Sequence, residues 1–152
     1  MELKAHNISV DVPSGWDASI YKRQSGPGEL TFPILHATNF PLPQVRGDFG
    51  GGVVELMGAD SIMVVLFEYG PQSVGQPLFQ AVGIPNALRA GDFKPEGLRR
   101  RLQGQAGLQR FFQESGRAFS LYAVIGSVAA SGVLSAQANG LLKTLSIESI
   151  GW

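Results

Sequence analysis

The stretch "SIMVVLFEY", Ser61 to Tyr69, constrains the fold more than any other part of this chain. Its core, Ile62 to Phe67, is continuously apolar and built from residues that favour extended backbone. It is far too short to span a bilayer, which takes about 20 apolar residues. A strand without a polar side must be central in its sheet and covered on both faces. The chain therefore has to supply a sheet around this segment and apolar cover for each side. With 152 residues, 44% hydrophobic and 16% charged, it has the material for one domain with a sizeable core, residues 1–152.

Other segments supply candidates for that sheet. Ile8, Val10 and Val12 alternate with Asn7, Ser9 and Asp11, the period of a half-buried strand. "PSG" ends it, and "WDASIYKR" (Trp16 to Arg23) resumes an extended pattern, so a hairpin with Trp16 plugging its corner is expected. "FPILHATNF" (Phe32 to Phe40) reads as a third strand, and "GVVELMGAD" as one or two helical turns. "LRRRL" (Leu98 to Leu102) reads as a strand with Arg100 and the leucines on one side, and Arg99 and Arg101 on the other. Leu108–Glu114 and Arg117–Ile125 flank "SG", the mark of a hairpin. Within the second strand Phe119, Leu121, Ala123 and Ile125 share one face, opposite Ala118, Ser120, Tyr122 and Val124. From about Ala129, Val133, Leu134, Ala138, Leu141, Leu142 and Leu145 recur at helical spacing, with Ser127 as N-cap, and a short strand or tail follows. Trp16, Phe67, Phe119, Leu121, Leu134, Leu141 and Leu145 are the expected buried residues.

Composition narrows function. Formal net charge is zero, which argues against a nucleic-acid binder. The charge is uneven: Arg89 to Arg117 holds seven cationic residues and three anionic ones, and the rest of the chain carries the compensating negative excess. There are no cysteines, hence no disulfide, thiolate metal site or cysteine nucleophile. No secretory leader is recognisable at the N-terminus, so a cytoplasmic location is the expectation, with no membrane span. No G-x-S-x-G elbow, P-loop or dinucleotide-binding glycine pattern is present, and "DFG" at Asp48 to Gly50 lacks every companion motif of a kinase. No enzyme activity, cofactor or metal is expected.

Candidate binding residues come from two regions. Gly70 to Phe93 has Gly or Pro every few residues, and connections this long are usually functional or mobile. Its stretch "PLFQAVGIPNAL" offers Leu78 and Phe79. The arginine group adds Arg99, Arg101 and, across a strand pair, Arg110. Glu68 and Tyr69, at the end of the central strand, lie in reach of the loop, with Glu68 expected to pair with an arginine of the 99–101 group. Exposed cations can simply protect a sheet edge, or can bind an anion or an acidic partner. A metal or hydrolase centre from His6, His36 and Glu68 is the remaining reading, and it requires those three to converge.

The opening "ISVDVPSGW", with Pro13, Gly15 and Trp16, the central "VVLFEYG", and the closing "GRAFSLYAVIG…LSAQANGLLKTLSI" resemble the PsbP-like / Ran-binding Mog superfamily. That resemblance implies an α+β fold, an antiparallel β-sheet flanked by helices in an α/β/α sandwich, and a role in binding rather than catalysis. It transfers no site residue. The chain departs from the group's lipoproteins in having no lipobox cysteine. The leading expectation is a non-catalytic protein-binding or assembly module, with a protein partner or a homo-oligomer. The alternative is a domain holding a small anionic ligand on Arg99 or Arg101, in a pocket between sheet and helix.

Overall fold

The structure, a computed structural model, describes residues 1–23 and 26–150. Its centre is a five-stranded antiparallel sheet in the order β3-β4-β5-β7-β6. The strands are β3 (Asp17–Tyr21), β4 (Ile34–Thr38), β5 (Ile62–Tyr69), β6 (Ala106–Glu114) and β7 (Arg117–Ile125). A three-stranded antiparallel sheet, β1-β2-β8, is formed by β1 (Glu2–Ala5), β2 (Ile8–Asp11) and β8 (Ser146–Ile147). The single α-helix among the described residues, α1, spans Ser131–Leu142. The class is α+β and mostly sheet.

Strand β5 is central, as its sequence requires, and the pleat divides it cleanly. Ile62, Val64, Leu66 and Glu68 face one way, in register with Ile125, Ala123, Leu121 and Phe119 of β7. This inner face packs against Ile8, Val10 and Val12, Ile147, and the buried face of α1: Leu134, Ala138, Leu141 and Leu142. Met63, Val65, Phe67 and Tyr69 face the other way. This outer face meets Val53 and Val54 near a 3-10 turn at Val54–Leu56, and the flanking Phe40, Leu42, Phe49, Leu98 and Leu102. The second helical layer of a sandwich is therefore absent among the described residues, and irregular segments cover the outer face instead. Val133 departs from the expected helical stripe and is 66% exposed, while the Ser127 hydroxyl accepts the Ala129 N–H as a cap.

The expected hairpin between the first two extended segments does not form. Strand β2 pairs with β1 and β8, while β3 pairs with β4 in the other sheet. The reason is His6-Asn7, both in the left-handed region (φ 54° and 60°), which make a two-residue turn that folds β2 back on β1. Trp16, at the corner between sheets, is half-buried rather than a core plug, and Phe67 is half-buried too.

Segment 98–102 is not a strand. The edge of β6 is already taken at Gly107, which exchanges two backbone hydrogen bonds with Lys94 (3.0 and 2.9 Å). Gly97 crosses so close to Gly107 that a Cβ there would strike the Gly107 carbonyl. Leu98 and Leu102 instead anchor the segment on the outer face, and the three arginines between them are exposed.

The long connection 70–93 is tied down. It contains 3-10 turns at Pro71–Ser73, Pro77–Phe79 and Ala90–Asp92. Gln113 exchanges backbone hydrogen bonds with it at Ala81 and Gly83 (2.8 and 2.9 Å). The Asn139 amide of α1 grips Leu88 twice, accepting its N–H and donating to its carbonyl, both at 2.8 Å.

Candidate functional site

The outer face carries a chain of aromatic rings. Phe67 and Tyr69 lie two residues apart on β5. Phe111 of β6 sits opposite the small Ser120 of β7, whose hydroxyl meets the Tyr69 hydroxyl at 3.2 Å. Phe49, from the glycine-rich loop, stacks on Phe67 (centroids 4.7 Å apart, 18° between planes). Phe79, carried in by the long connection, packs on Tyr69 at 5.1 Å and edge-on to Phe111 at 5.7 Å. Phe79 is buried, whereas Phe49, Phe67, Tyr69 and Phe111 keep part of their surface open, and Leu78 beside Phe79 is 56% exposed.

Arg99 heads this row. Its guanidinium lies 3.6 Å above the Phe49 ring and 5.9 Å from the Tyr122 ring. Its backbone N–H donates to the Tyr122 hydroxyl at 2.8 Å, which fixes the base of the side chain. Burial pushes the Tyr122 phenol above its ordinary range, outweighing the opposing pull of Arg99, so it stays protonated in place. Between Phe49, Val54, Glu55, Arg99 and Tyr122 lies a cleft of about 180 Å³.

The neighbouring cations differ in one respect. Arg100 is paired with Glu55 (2.6 Å), and Arg110 with Asp92 (3.6 Å). Among the described residues Arg99 and Arg101 have no carboxylate partner, and the Arg99 guanidinium donates no hydrogen bond to the protein.

The seven residues singled out in the sequence thus separate. Arg99, Tyr69 and Phe79 share the outer face, with Leu78 at its rim and Arg101 exposed on the Arg99 segment. Arg110 points to the other side of β6, opposite Leu121. Glu68 faces inward and binds Arg117, not Arg99–101, because β5 turns alternate side chains to opposite faces. Phe49, Phe67, Phe111 and Tyr122 belong to the face but were not among the candidates. An aromatic inside "GDFGGG" was the available signal for Phe49.

Arg117 is a bolt between the sheets. Its Nε and Nη2 hold Glu68 at 2.9 and 2.6 Å, with both side chains essentially sealed from solvent. The other three N–H groups donate to the carbonyls of His6, Asn7 and Glu148 (3.3, 3.3 and 2.9 Å). All five guanidinium donors are used. This pair joins β5 and β7 to the β1–β2 turn and the residue after β8.

The histidines do not meet Glu68. His36 is buried on the outer side of β4, where its Nδ1 accepts from Arg46 Nε (2.8 Å) and its Nε2–H donates to the Asp48 carbonyl (2.7 Å). Burial lowers its pKa, Arg46 adds to this, and the Asp48 carbonyl opposes it. Tyr21 donates to Asp48 Oδ1 (3.0 Å), and burial raises its phenol pKa further from neutrality. His6 occupies the β1–β2 turn beside Arg117 and Lys22. Among the described residues no three His, Asp or Glu side chains are placed to hold a metal. Among the described residues the space between the sheet and α1 is packed core, and Arg99 lies on the opposite face, over Phe49. No described helix is long and apolar enough to cross a membrane.

The chain matches no protein-family model, and no curated protein or solved structure is significantly similar to it.

Proposed function

We propose that this domain is a non-catalytic binding module that docks a protein segment on its outer aromatic face. The segment recognised would be extended, with an Asp or Glu beside an aromatic or branched apolar side chain. The carboxylate would take the two open edges of Arg99, and the apolar side chain would lie over Phe67, Tyr69 and Phe111. The observation that carries this reading is the state of Arg99. Its guanidinium carbon sits 3.6 Å from the centre of the Phe49 ring with every donor unspent. A planar, pre-positioned fork is the group best suited to a carboxylate. The aromatic surface beside it, and the exposed Leu78, supply apolar contact of the kind concentrated in interface centres.

The likeness to the PsbP-like group is part of the same proposal. It is supported by the close of the chain in strand, helix and short strand, and by the corner at Pro13, Gly15 and Trp16, where the Trp16 N–H donates to the Pro13 carbonyl.

The test is selection of a displayed random-peptide library on the immobilised protein, followed by fluorescence polarisation of synthetic winners. Enriched peptides should carry an acidic residue next to an aromatic or leucine. Arg99→Glu should weaken them by at least about tenfold, given about 1.5–3 kcal/mol for a hydrogen bond to a charged group. Winners without acidic residues, or winners bound equally by Arg99→Glu, would overturn the proposal.

A further inference from the structure

A second concave site lies far from the aromatic row in character. The β1–β2 turn, the residues after β3, the lead into β4 and the chain after β8 converge around a hollow of about 370 Å³. That volume is within the range of small-molecule sites, roughly 300–1,000 Å³. Its floor is Arg117, whose charge is balanced by Glu68 and whose donors are all occupied, so the floor itself offers nothing to a ligand.

The rim differs from the floor. His6 and Lys22 both line the hollow, and among the described residues Lys22 has no ion-pair partner. None of the described lining residues is acidic. The His6 pKa is lowered, first by burial, then by Lys22 and Arg117. With Arg117 balanced by Glu68, the Lys22 ammonium is the uncompensated charge of the rim among the described residues. Thr31 adds a hydroxyl. The remaining wall is apolar, with Leu30, Phe32, Pro33 and Ile150. A cationic edge over a hydrocarbon wall selects a ligand with one charged end and one apolar body.

We propose that this hollow binds a small organic monocarboxylate, its anionic end between Lys22 and His6 and its hydrocarbon body on Phe32, Pro33 and Ile150. The body distinguishes it from a free inorganic anion, and the charge distinguishes it from a neutral apolar compound. The site is independent of the outer face, since none of its lining residues belongs to the aromatic row.

The experiment uses the intact chain and sodium benzoate, followed by NMR at the His6 ring. Benzamide serves as the neutral isostere and inorganic phosphate as the bare anion. A saturable shift with benzoate is expected, with the His6 pKa rising on binding. Benzamide and phosphate should each bind at least tenfold more weakly. Lys22→Met, at an exposed position, should reduce benzoate affinity by a similar factor. His6→Asn, which suits the left-handed turn, should do the same when read at the Thr31 amide. A response to benzamide or phosphate equal to that for benzoate would overturn the proposal. So would no saturable response, or full affinity in Lys22→Met.

Discussion

Removing the Arg117 side chain should be the most damaging single polar substitution in this protein. Arg117→Met keeps a similar apolar stem but strands a buried Glu68 carboxylate and takes one donor from each of three main-chain carbonyls, of which Asn7 keeps the Glu148 N–H. Breaking one side of a buried ion pair typically costs about 3–5 kcal/mol. For a domain whose whole stability is about 5–15 kcal/mol, that is a large share. The companion Glu68→Leu should cost a comparable amount, because it buries an unpaired guanidinium. The double variant Glu68→Leu/Arg117→Met removes both charges, and apolar replacement of a buried pair is often close to neutral. What it does not restore are the bonds to His6, Asn7 and Glu148, each worth about 0.5–1.5 kcal/mol. The double variant should therefore be less destabilised than the sum of the singles by several kcal/mol, while remaining roughly 2–4 kcal/mol below the parent. Urea unfolding of the four proteins gives the cycle. Hydrogen exchange at the Glu148 amide, which donates to Asn7, should accelerate in both Arg117 variants. Additive single costs, or an Arg117→Met cost below about 1 kcal/mol, would refute the role of this pair as the joint between the sheets.

Three further outcomes follow from other contacts. Arg99→Ala should lower stability by no more than about 1 kcal/mol, the value of an exposed cation–π contact, while Arg99→Lys should bind acidic peptides nearly as poorly as Arg99→Ala does; thermal melts and fluorescence polarisation separate the two effects. Asn139→Ala should cost about 1–3 kcal/mol, since it leaves the buried Leu88 N–H and carbonyl unpaired, and should speed proteolysis between residues 80 and 90. The depressed His36 pKa means the unfolded chain takes up a proton at a higher pH than the folded one. Stability is then full above the ordinary histidine value of 6.5 and falls as pH drops below it toward the folded pKa; His36→Gln should flatten that part of a urea-midpoint-versus-pH curve, and an unchanged slope would exclude His36 as its source.

Strand β5 was legible because six consecutive apolar residues leave no other placement, and the β6–β7 hairpin because "ESGR" separates two alternating runs. Strand β7's two faces were also readable from alternation alone. The first sheet was misread for a local reason: His6-Asn7 is a left-handed turn, and the period-two count began at Asn7, so β1 before the turn went unread. The Leu98–Leu102 segment was misread for a non-local one. Its alternation is that of a strand, but the edge it would join is occupied by Lys94, a pairing set by close passage of Gly97 over Gly107. Of the candidate site, Arg99, Tyr69 and Phe79 could be picked from sequence, because arginine clusters and apolar residues in long loops attract notice. Phe67 read as core, and nothing local tells a half-open aromatic from a sealed one. Arg117 was passed over because a lone arginine at a strand start looks like an edge charge.

Donor accounting separates Arg117, a structural cation, from Arg99, the cation proposed for recognition. Both belong to the locally basic stretch, and both contact aromatic rings. Arg117 spends five donors of five on Glu68 and three carbonyls, so its desolvation is already compensated and it has no capacity for a ligand. Arg99 is held by stacking on Phe49 and by its backbone bond to Tyr122, yet it spends no guanidinium donor. Its side chain has given up part of its rotamer freedom in the free protein, so a carboxylate arriving there meets a smaller ordering cost. Arg101, exposed and without a stacking partner among the described residues, has no such preparation. For the proposed docking, Arg99 therefore ranks before Arg101, although the two are indistinguishable in the sequence "LRRRL".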